Sequence, residues 1–203
     1  EWKIDKKELV TEVTSVHNNE KNYYHLDLTG IYQIKNLVTV LEAANMLRKK
    51  GWDLSESILQ KALRNVKKLT GLHGRWEMIH DYPAVVLDVA HNEGGINQLT
   101  EQIEITDHEA LHLIIGMVKD KDVEKILSLL PKHANYYFTK AHIPRALSES
   151  QLADMAAAIG LQGNHYPDVN AALKRAMSNA GKKDLIVICG SVFVVGEVEL
   201  TES

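Results

Sequence analysis

This sequence has little cysteine, no surplus of basic residues and no long apolar runs. Its single cysteine, Cys189, excludes a disulfide framework, and its place in an apolar run predicts a buried small side chain rather than a nucleophile. The 23 Lys and Arg residues against 27 Asp and Glu leave no basic excess for a nucleic-acid surface. No apolar run reaches the roughly 18–20 residues that span a bilayer. We therefore expect neither a nucleic-acid partner nor a membrane partner.

The rest of the composition is that of a globular protein with a core. The chain has 203 residues, of which 45% are hydrophobic, enough for one large or two modest domains. It starts Glu-Trp-Lys-Ile, which is not a signal peptide, and it has no initiator Met. We therefore expect a piece of a longer cytoplasmic protein, and a monomer.

The first part of the chain predicts a β-hairpin. Residues 2–29 favour β-structure, and Val10–Val16 and Tyr23–Thr29 alternate apolar and polar residues. The polar residues 17–22 between them have turn chemistry.

Two helices are predicted next. Gln33–Lys50 carries a stripe of apolar residues at helical spacing (Leu37, Val40, Leu41, Ala44 and Leu47) and is followed by Gly51, a helix-ending residue. A second helix is predicted from Ser55, as N-cap, to about Lys68. Two glycines within Thr70–Gly74 indicate a hinge, so we place a domain boundary between residues 74 and 75.

After this boundary, predicted strands and helices alternate. The strands are Val85–Ala90, Leu111–Val118, Asn135–Lys140, Gln162–Tyr166, Leu185–Cys189 and Val192–Val198, and the helices are Gly95–Ile105, Asp122–Leu130, Ser148–Ile159 and Asp168–Ala180. Such alternation predicts an α/β fold with a mostly parallel, Rossmann-like sheet covered on both faces. In these sheets ligands bind beyond the carboxyl ends of the strands.

One apparent zinc motif is a poor candidate. His108-Glu-Ala-Leu-His112 matches the H-E-x-x-H pattern, which needs both histidines on one face of a helix. Here the match runs into the apolar segment after Leu111, which predicts a loop that enters a strand. We therefore expect His112 on a strand and assign no metal site.

Two polar segments near the predicted boundary are candidate binding elements. Gln33 and Asn36 lie three residues apart and share one side of a helix start, where two amides suit a base or ribose edge, although polar surface residues at a helix start are common and are by themselves the simpler interpretation. Arg75 follows the hinge glycines and offers a permanent forked charge for phosphate oxygens, although an ion pair with Glu77 is an equally simple interpretation.

A third polar segment follows the first buried strand. Asp88, His91 and Asn92 come at its carboxyl end, just before a predicted helix that Gly95 opens. A carboxylate, an imidazole and an amide so close together at a strand end favour a binding site over a purely structural role.

Together these segments resemble the folylpolyglutamate synthase/dihydrofolate synthase family, within the wider Mur ligase group. That family shows Gly-x-His-Gln-x-x-Asn, then Gly-Arg-x-Glu, then Asp-Gly-Ala-His-Asn-Pro. This chain has, in order, Gly30…Gln33…Asn36, Gly74-Arg75-Trp76-Glu77, Asp88-Val-Ala-His91-Asn92, Gly116-Met117-Val-Lys-Asp120-Lys-Asp122 and Gly190-Ser191-Val-Phe-Val-Val-Gly196-Glu197. It departs from the pattern at Tyr32 for His, Val89 for Gly and Glu93 for Pro.

The resemblance implies a fold, an activity and a set of site residues. Residues 1–74 would be the end of a central ATP-binding domain, a β-hairpin and helices, and residues 75–203 a Rossmann-like C-terminal ligase domain. Asn36 would approach the adenine of ATP, Arg75 its phosphates, and Asp88 with His91 the ribose. Asp120 and Ser191 are further candidates for substrate contact, and no residue is assigned as catalytic.

The implied reaction is ATP-dependent addition of L-glutamate to dihydropteroate or to folate, through an acyl phosphate. The chain has no Gly-x-x-x-x-Gly-Lys-Ser/Thr phosphate loop, and the family's magnesium ligands would also lie in a part that precedes it. We therefore expect the chain alone to be inactive.

Three alternatives stay open at the level of sequence. The first is whether the parent is a dihydrofolate synthase, a folylpolyglutamate synthase or both. A peptidoglycan Mur ligase shares the Gly-Arg-x-Glu and Asp-x-Ala-His elements, although the segments at Gly116 and Gly190 favour folate. A non-enzymatic α/β binding domain is the alternative of another class.

Overall fold

The computed structural model describes residues 1–5, 8–14, 19–119 and 122–199. The chain divides into two compact units, Glu1–Trp76 and Glu77–Ser203, here called unit 1 and unit 2. Within the described ranges, no helix is both long enough and apolar enough to cross a membrane.

Unit 1 consists of a small antiparallel sheet and three helices. The strands β1 (Trp2–Asp5), β2 (Glu8–Thr14) and β3 (Lys21–Leu26) pair in the order β1-β2-β3, and the helices are α1 (Gln33–Lys49), α2 (Glu56–Leu63) and α3 (Val66–Thr70). Its core is formed by Leu9, Tyr24 and Leu26 from the sheet with Leu37 of α1 and Leu63 of α2.

The predicted hairpin is confirmed as β2 and β3, to which β1 adds a third strand. Residues 15–18, which include the start of the predicted turn, lie outside the described residues. The first helix is also confirmed, and Gly51 follows it with φ +92°, in the left-handed region. The predicted apolar stripe is buried only in part, because Val40 and Leu47 are exposed while Leu37 and Ala44 are buried.

The single helix predicted from Ser55 to Lys68 is wrong, because it is two helices. Ser55 does cap α2, and its hydroxyl accepts the N–H of Ile58. The helix then breaks at Asn65, which has φ −132°. A new helix starts there because the carboxylate of Asp27 accepts the N–H of Lys67 over 2.9 Å, in the first turn of α3.

Unit 2 is built on a mostly parallel six-stranded sheet. Its strands are β4 (Arg75–Asp81, of which the first two residues are counted in unit 1), β5 (Ala84–Asp88), β6 (Leu111–Ile115), β7 (Asn135–Phe138), β8 (Gly163–His165) and β9 (Leu185–Cys189), in the order β4-β5-β9-β6-β7-β8. Its helices are α4 (Glu93–Glu104), α5 (Val123–Ser128), α6 (Glu149–Ala158), α7 (Val169–Asn179) and α8 (Val192–Gly196). The five strands from β5 to β9 pair in parallel, so the predicted fold class is confirmed.

Helices cover both faces of this sheet. The chain crosses the sheet in one direction from β5 to β8 and returns to β9, so right-handed crossovers place α4, α5 and α6 on one face and α7 on the other. On the α7 face, Ile114, Ile186 and Ile188 pack with Val169 and Ala172 of α7. The last strand, β9, is inserted between β5 and β6, which brings distant parts of the chain to neighbouring strand ends.

The strand predicted at Val192–Val198 is wrong, because Val192–Gly196 forms the short helix α8. Gly190 has φ +97°, which turns the chain out of β9, and the hydroxyl of Ser191 accepts the N–H of Phe193 over 3.1 Å as the helix cap. Val194 and Val195 are buried on the α7 face of the sheet. The strand β4 was not predicted, since its polar sequence is that of a sheet edge.

Candidate functional site

The segments that leave the central strands are joined at the carboxyl edge of the sheet. The N–H of Gly190, after β9, donates to the carbonyl oxygen of Ala90, after β5, over 2.8 Å. The strands β6 and β9 pair as far as Ile115 and Cys189, and the N–H of Thr139, after β7, donates to the carbonyl oxygen of Ile115 over 2.8 Å. These segments therefore form one continuous edge, where a parallel sheet binds ligands.

Two glycines allow this close approach. A Cβ on Gly190 would lie 2.5 Å from the carbonyl oxygen of Gly116, and a Cβ on Gly116 would lie 2.7 Å from that of Thr139. Both distances are far inside van der Waals contact, and the left-handed φ of Gly190 adds a second reason for glycine there. The backbone geometry of the edge therefore depends on residues without side chains.

Asp88 ends β5 as a buried carboxylate, 3% exposed. Its Oδ1 accepts the N–H of Ala90 over 2.9 Å, which fixes the turn out of the strand. Burial, and then the negative charge of Asp88, raises the pKa of the Cys189 thiol. Cys189 is fully buried, as predicted, and its thiol stays protonated.

His91 lies just beyond this turn and is partly exposed. Its Nδ1 is 2.8 Å from the carbonyl oxygen of Val89. A carbonyl oxygen only accepts hydrogen bonds, so Nδ1 carries a hydrogen and the neutral ring keeps Nε2 as an acceptor. The ring thus offers an acceptor to a hydroxyl or amine at the carboxyl edge.

Asn92 and Glu93 shape the start of α4. The Oδ1 of Asn92 accepts the N–H of Gly95 over 2.8 Å and caps the helix. Glu93, which stands where the family pattern has Pro, forms an exposed ion pair of 2.7 Å with Lys125. The amide of Asn92 therefore has a structural role in addition to any contact with a ligand.

Of the two candidates for substrate contact, Ser191 and Asp120, the structure describes only Ser191. Ser191 lies at the carboxyl edge directly after Gly190, is 4% exposed, and caps α8 with its hydroxyl. Asp120 lies outside the described residues. The structure thus brings Asp88, His91 and Ser191 to one edge of unit 2.

The other two predicted site residues belong to unit 1. The Nδ2 of Asn36 donates to the Oε1 of Gln33 over 2.8 Å, so the two amides share one side of α1 as predicted, with Gln33 buried and Asn36 exposed. The guanidinium of Arg75 donates to the carbonyl oxygen of Gly74 over 3.3 Å, at a turn where Gly74 has φ +71°.

The apparent zinc motif is divided between a loop and a strand, as the sequence predicted. His108 lies before β6, and His112 lies on β6. The ring of His112 is buried between the carboxylate of Asp184 at 3.2 Å and the hydroxyl of Tyr137 at 3.0 Å. His112 therefore belongs to a buried polar network.

A family model described as "Mur ligase, glutamate ligase domain" matches residues 74–192, more than half of the chain. The chain belongs to the Mur ligase family. This match contains β5, β6 and β9, and with them the carboxyl edge that holds Asp88, His91 and Ser191.

Several proteins that are similar to this Mur ligase chain are named as folylpolyglutamate synthases. It is 30% identical over 177 residues to a probable bifunctional folylpolyglutamate synthase/dihydropteroate synthase from Haloferax volcanii, covering 87% of this chain and 20% of that protein. It is 25% identical to a structure of Mycobacterium tuberculosis folylpolyglutamate synthase complexed with ADP and AMPPCP, with a TM-score of 0.77, covering 97% of this chain and 45% of that one.

A further structure is similar over the larger part of the Mur ligase chain. The bifunctional folylpolyglutamate synthase/dihydrofolate synthase from Yersinia pestis, complexed with AMPPNP and Mn ion, is 27% identical with a TM-score of 0.61, covering 73% of this chain and 35% of that one. The chain thus spans less than half the length of each of these three proteins. All three are named as synthases.

The segment that follows β7 also lies at the carboxyl edge of the Mur ligase domain, and the sequence did not predict its role. The N–H of His142 and its Nδ1 contact the two carboxylate oxygens of Glu197 at 2.7 and 2.8 Å. The guanidinium of Arg145 lies 4.9 Å from the ring centre of Phe193 in α8. The only sequence signal was that Glu197 and Phe193 belong to the segment after Gly190 that carries the family resemblance.

A cluster of metal-ligating side chains is not found in the part of the chain that the structure describes. Among residues 1–5, 8–14, 19–119 and 122–199, no group of three or more His, Cys, Asp or Glu side chains is arranged to hold a metal ion. No chemical step is therefore assigned to a metal held by these residues.

Proposed function

We propose that this chain supplies the C-terminal part of an ATP-dependent ligase that joins L-glutamate to dihydropteroate or to folate and its polyglutamates. The observation that carries the proposal is the carboxyl edge of unit 2, where the buried carboxylate of Asp88 and the partly exposed ring of His91 lie beside Ser191. The match to a glutamate ligase domain and the names of the similar proteins support it.

The reaction that this proposal implies has two steps. A carboxylate oxygen of the folate attacks the γ-phosphorus of ATP, the bond to ADP breaks, and an acyl phosphate forms. The amine of glutamate then attacks the acyl carbon, loses a proton and expels phosphate, which leaves an amide. Both steps develop negative charge on oxygen, so they need fixed donors and cations close by.

The residues of this chain are assigned to the nucleotide as follows. Asp88, with His91, binds the ribose side of ATP, because carboxylate oxygens and a ring acceptor suit ribose hydroxyls. The exposed amide of Asn36 approaches the adenine, and its Oδ1 remains an acceptor since Nδ2 already donates to Gln33. Arg75 binds phosphate oxygens, for which its forked guanidinium is suited.

Ser191 and Asp120 are assigned to the substrate side. The hydroxyl of Ser191 accepts the N–H of Phe193 and keeps its own hydrogen to donate. Magnesium is assigned to residues of the ligase outside this chain. The Mn ion in the Yersinia pestis structure supports the use of a divalent cation, and no cluster of ligands for one exists within the described residues.

A pair of assays tests the proposal. The full-length product of the gene should consume ATP and release phosphate when glutamate and a folate substrate are both present. The 203-residue chain alone should hydrolyse no ATP above background, because the chain has no phosphate loop. Substantial ATP hydrolysis by the chain alone would contradict the proposal that other parts of the ligase bind the phosphates of ATP.

A further inference from the structure

Glu197 makes a two-pronged contact with the segment that follows β7. One carboxylate oxygen accepts the main-chain N–H of His142 over 2.7 Å, and the other contacts Nδ1 of the same residue at 2.8 Å. The side chain of His142 is 67% exposed and that of Glu197 28%, so an ion pair between them contributes little by charge alone. The bond to the main chain is what fixes the position of the segment.

The segment that carries Glu197 is itself anchored. The carbonyl oxygen of Glu197 accepts the side-chain amide of Asn170 over 3.0 Å, and the N–H of Glu199 donates to Oδ1 of the same Asn170 over 2.9 Å. Asn170 lies in the first turn of α7, one of the helices that pack on the sheet. Glu197 therefore connects the loop after β7 to a rigid element.

The loop after β7 in turn positions the loop after β6. The N–H of Lys119 donates to the carbonyl oxygen of Arg145 over 3.0 Å, and the N–H of Leu147 donates to that of Met117 over 2.9 Å. A β-bridge between Val118 and Ala146 lies between these two bonds. Displacement of the loop after β7 would therefore also move Met117–Lys119.

We propose that Glu197 is a positioning residue for the amino-acid side of the site. This inference rests on the proposed function, in which the nucleotide is bound by Asp88 and His91 after β5 and by residues of unit 1. None of those residues belongs to the three segments that Glu197 connects, which follow β6, β7 and β9. Loss of Glu197 should therefore impair use of glutamate while it leaves the affinity for ATP nearly unchanged.

Three variants separate this role from a general effect on stability. Glu197→Ala removes both contacts with His142. Glu197→Gln keeps an oxygen for the N–H of His142, and its amide donates to Nδ1 when the ring takes the other tautomer. Glu199→Ala is the matched control, because Glu199 is an exposed acid in the same segment whose bond to Asn170 uses only its main chain.

Hydrogen exchange on the full-length ligase tests the structural half of the inference without any assay of activity. Glu197→Ala should accelerate exchange at the amides of His142, Lys119 and Leu147, with strands β6 and β9 unchanged. Glu197→Gln and Glu199→Ala should both leave these rates close to those of the parent sequence. Unchanged exchange at Lys119 and Leu147 in Glu197→Ala would show that the loops do not depend on Glu197, and would overturn the inference.

Steady-state kinetics of the full-length ligase test the functional half. Glu197→Ala should lower kcat/KM for glutamate about tenfold or more, since a misplacement of about 1 Å can cost on the order of 100-fold, while the KM for ATP changes less than about twofold. Glu197→Gln should retain most of the kcat/KM for glutamate that Glu197→Ala loses. Equal losses of kcat/KM for ATP and for glutamate would contradict the inference. If the unmodified protein had no ligase activity, that result would instead contradict the proposed function.

Discussion

The N–H of Gly190 donates to the carbonyl oxygen of Ala90 over 2.8 Å, although the two residues are 100 positions apart in the sequence. This contact exists because β9 is inserted between β5 and β6, so the last strand of the sheet ends beside the strand that carries Asp88. It places Ser191 next to the turn that presents His91. The geometry of the proposed site therefore depends on the close backbone contact at Gly190.

Replacement of Gly190 by alanine should destabilise unit 2. The left-handed backbone costs about 1–2 kcal/mol for a residue with a Cβ, and the overlap with the carbonyl of Gly116 adds about 1–3 kcal/mol. Urea unfolding should therefore show a loss of about 2–5 kcal/mol. Gly196→Ala is the control, because nothing lies within 4 Å of a Cβ there, and it should cause no loss.

Asn92→Ala should lower stability by about 1 kcal/mol, because its Oδ1 caps α4 through the N–H of Gly95. Asn92→Ser should retain most of that stability, since serine caps helices nearly as well. Thermal unfolding of the two variants measures the difference. Equal stability of the alanine and serine variants would show that the cap contributes nothing, and would leave ligand contact as the reason for Asn92.

The free energy of unfolding at acidic pH should depend on Asp184. Burial by itself raises the pKa of this carboxyl, but hydrogen bonds from the N–H of Gly181, from His112 and from the N–H of Ala110 outweigh it, so the pKa lies below its ordinary value. A lowered pKa in the folded state stabilises the protein above the ordinary aspartate pKa of about 3.9, and this stability is lost as the pH falls through the lower folded value.

Asp184→Asn should therefore be less stable by about 2 kcal/mol at pH 7, and the difference from the parent sequence should narrow below about pH 4. Urea unfolding at several pH values checks this dependence. Asp107→Asn, an exposed aspartate in the loop before β6, is the control and should follow the parent curve throughout. A difference for Asp184→Asn that stays constant down to pH 2 would contradict the assignment.

Asp88→Asn in the full-length ligase should weaken the binding of ATP and of ADP about tenfold or more, which corresponds to about 1.4 kcal/mol. The reason is that the substitution removes the charge from the proposed contact with the ribose. Asparagine keeps an oxygen for the N–H of Ala90, so the turn after β5 should persist. Isothermal titration with ADP measures the affinity. Asp154→Asn, an exposed aspartate on α6, should bind ADP normally.

The main features of the unit 2 sheet were predictable from the sequence. Strands such as Leu185–Cys189 are buried on both faces, and this burial requires the continuous apolar runs that the sequence shows. Val192–Gly196 misled the prediction because a short β-branched run has no periodicity that separates a strand from a buried helix. The cap at Ser191 and the turn at Gly190 decided in favour of a helix.

The candidate site was predictable only where its residues lie close together in sequence. Asp88 and His91 were found because they follow one apolar strand. Glu197 was missed as a partner of His142, because 55 positions separate the two and only the order of the strands brings them together. Residue patterns thus located the segments, and the topology of the sheet determined which of them meet.

Transfer of glutamate by the full-length gene product tests the central proposal most directly. We predict ATP-dependent formation of a glutamylated product with dihydropteroate or a reduced folate, detected by mass spectrometry, and none with a UDP-linked muropeptide and its amino acid. Product formation with the muropeptide and none with either folate would contradict the assignment to a folate ligase.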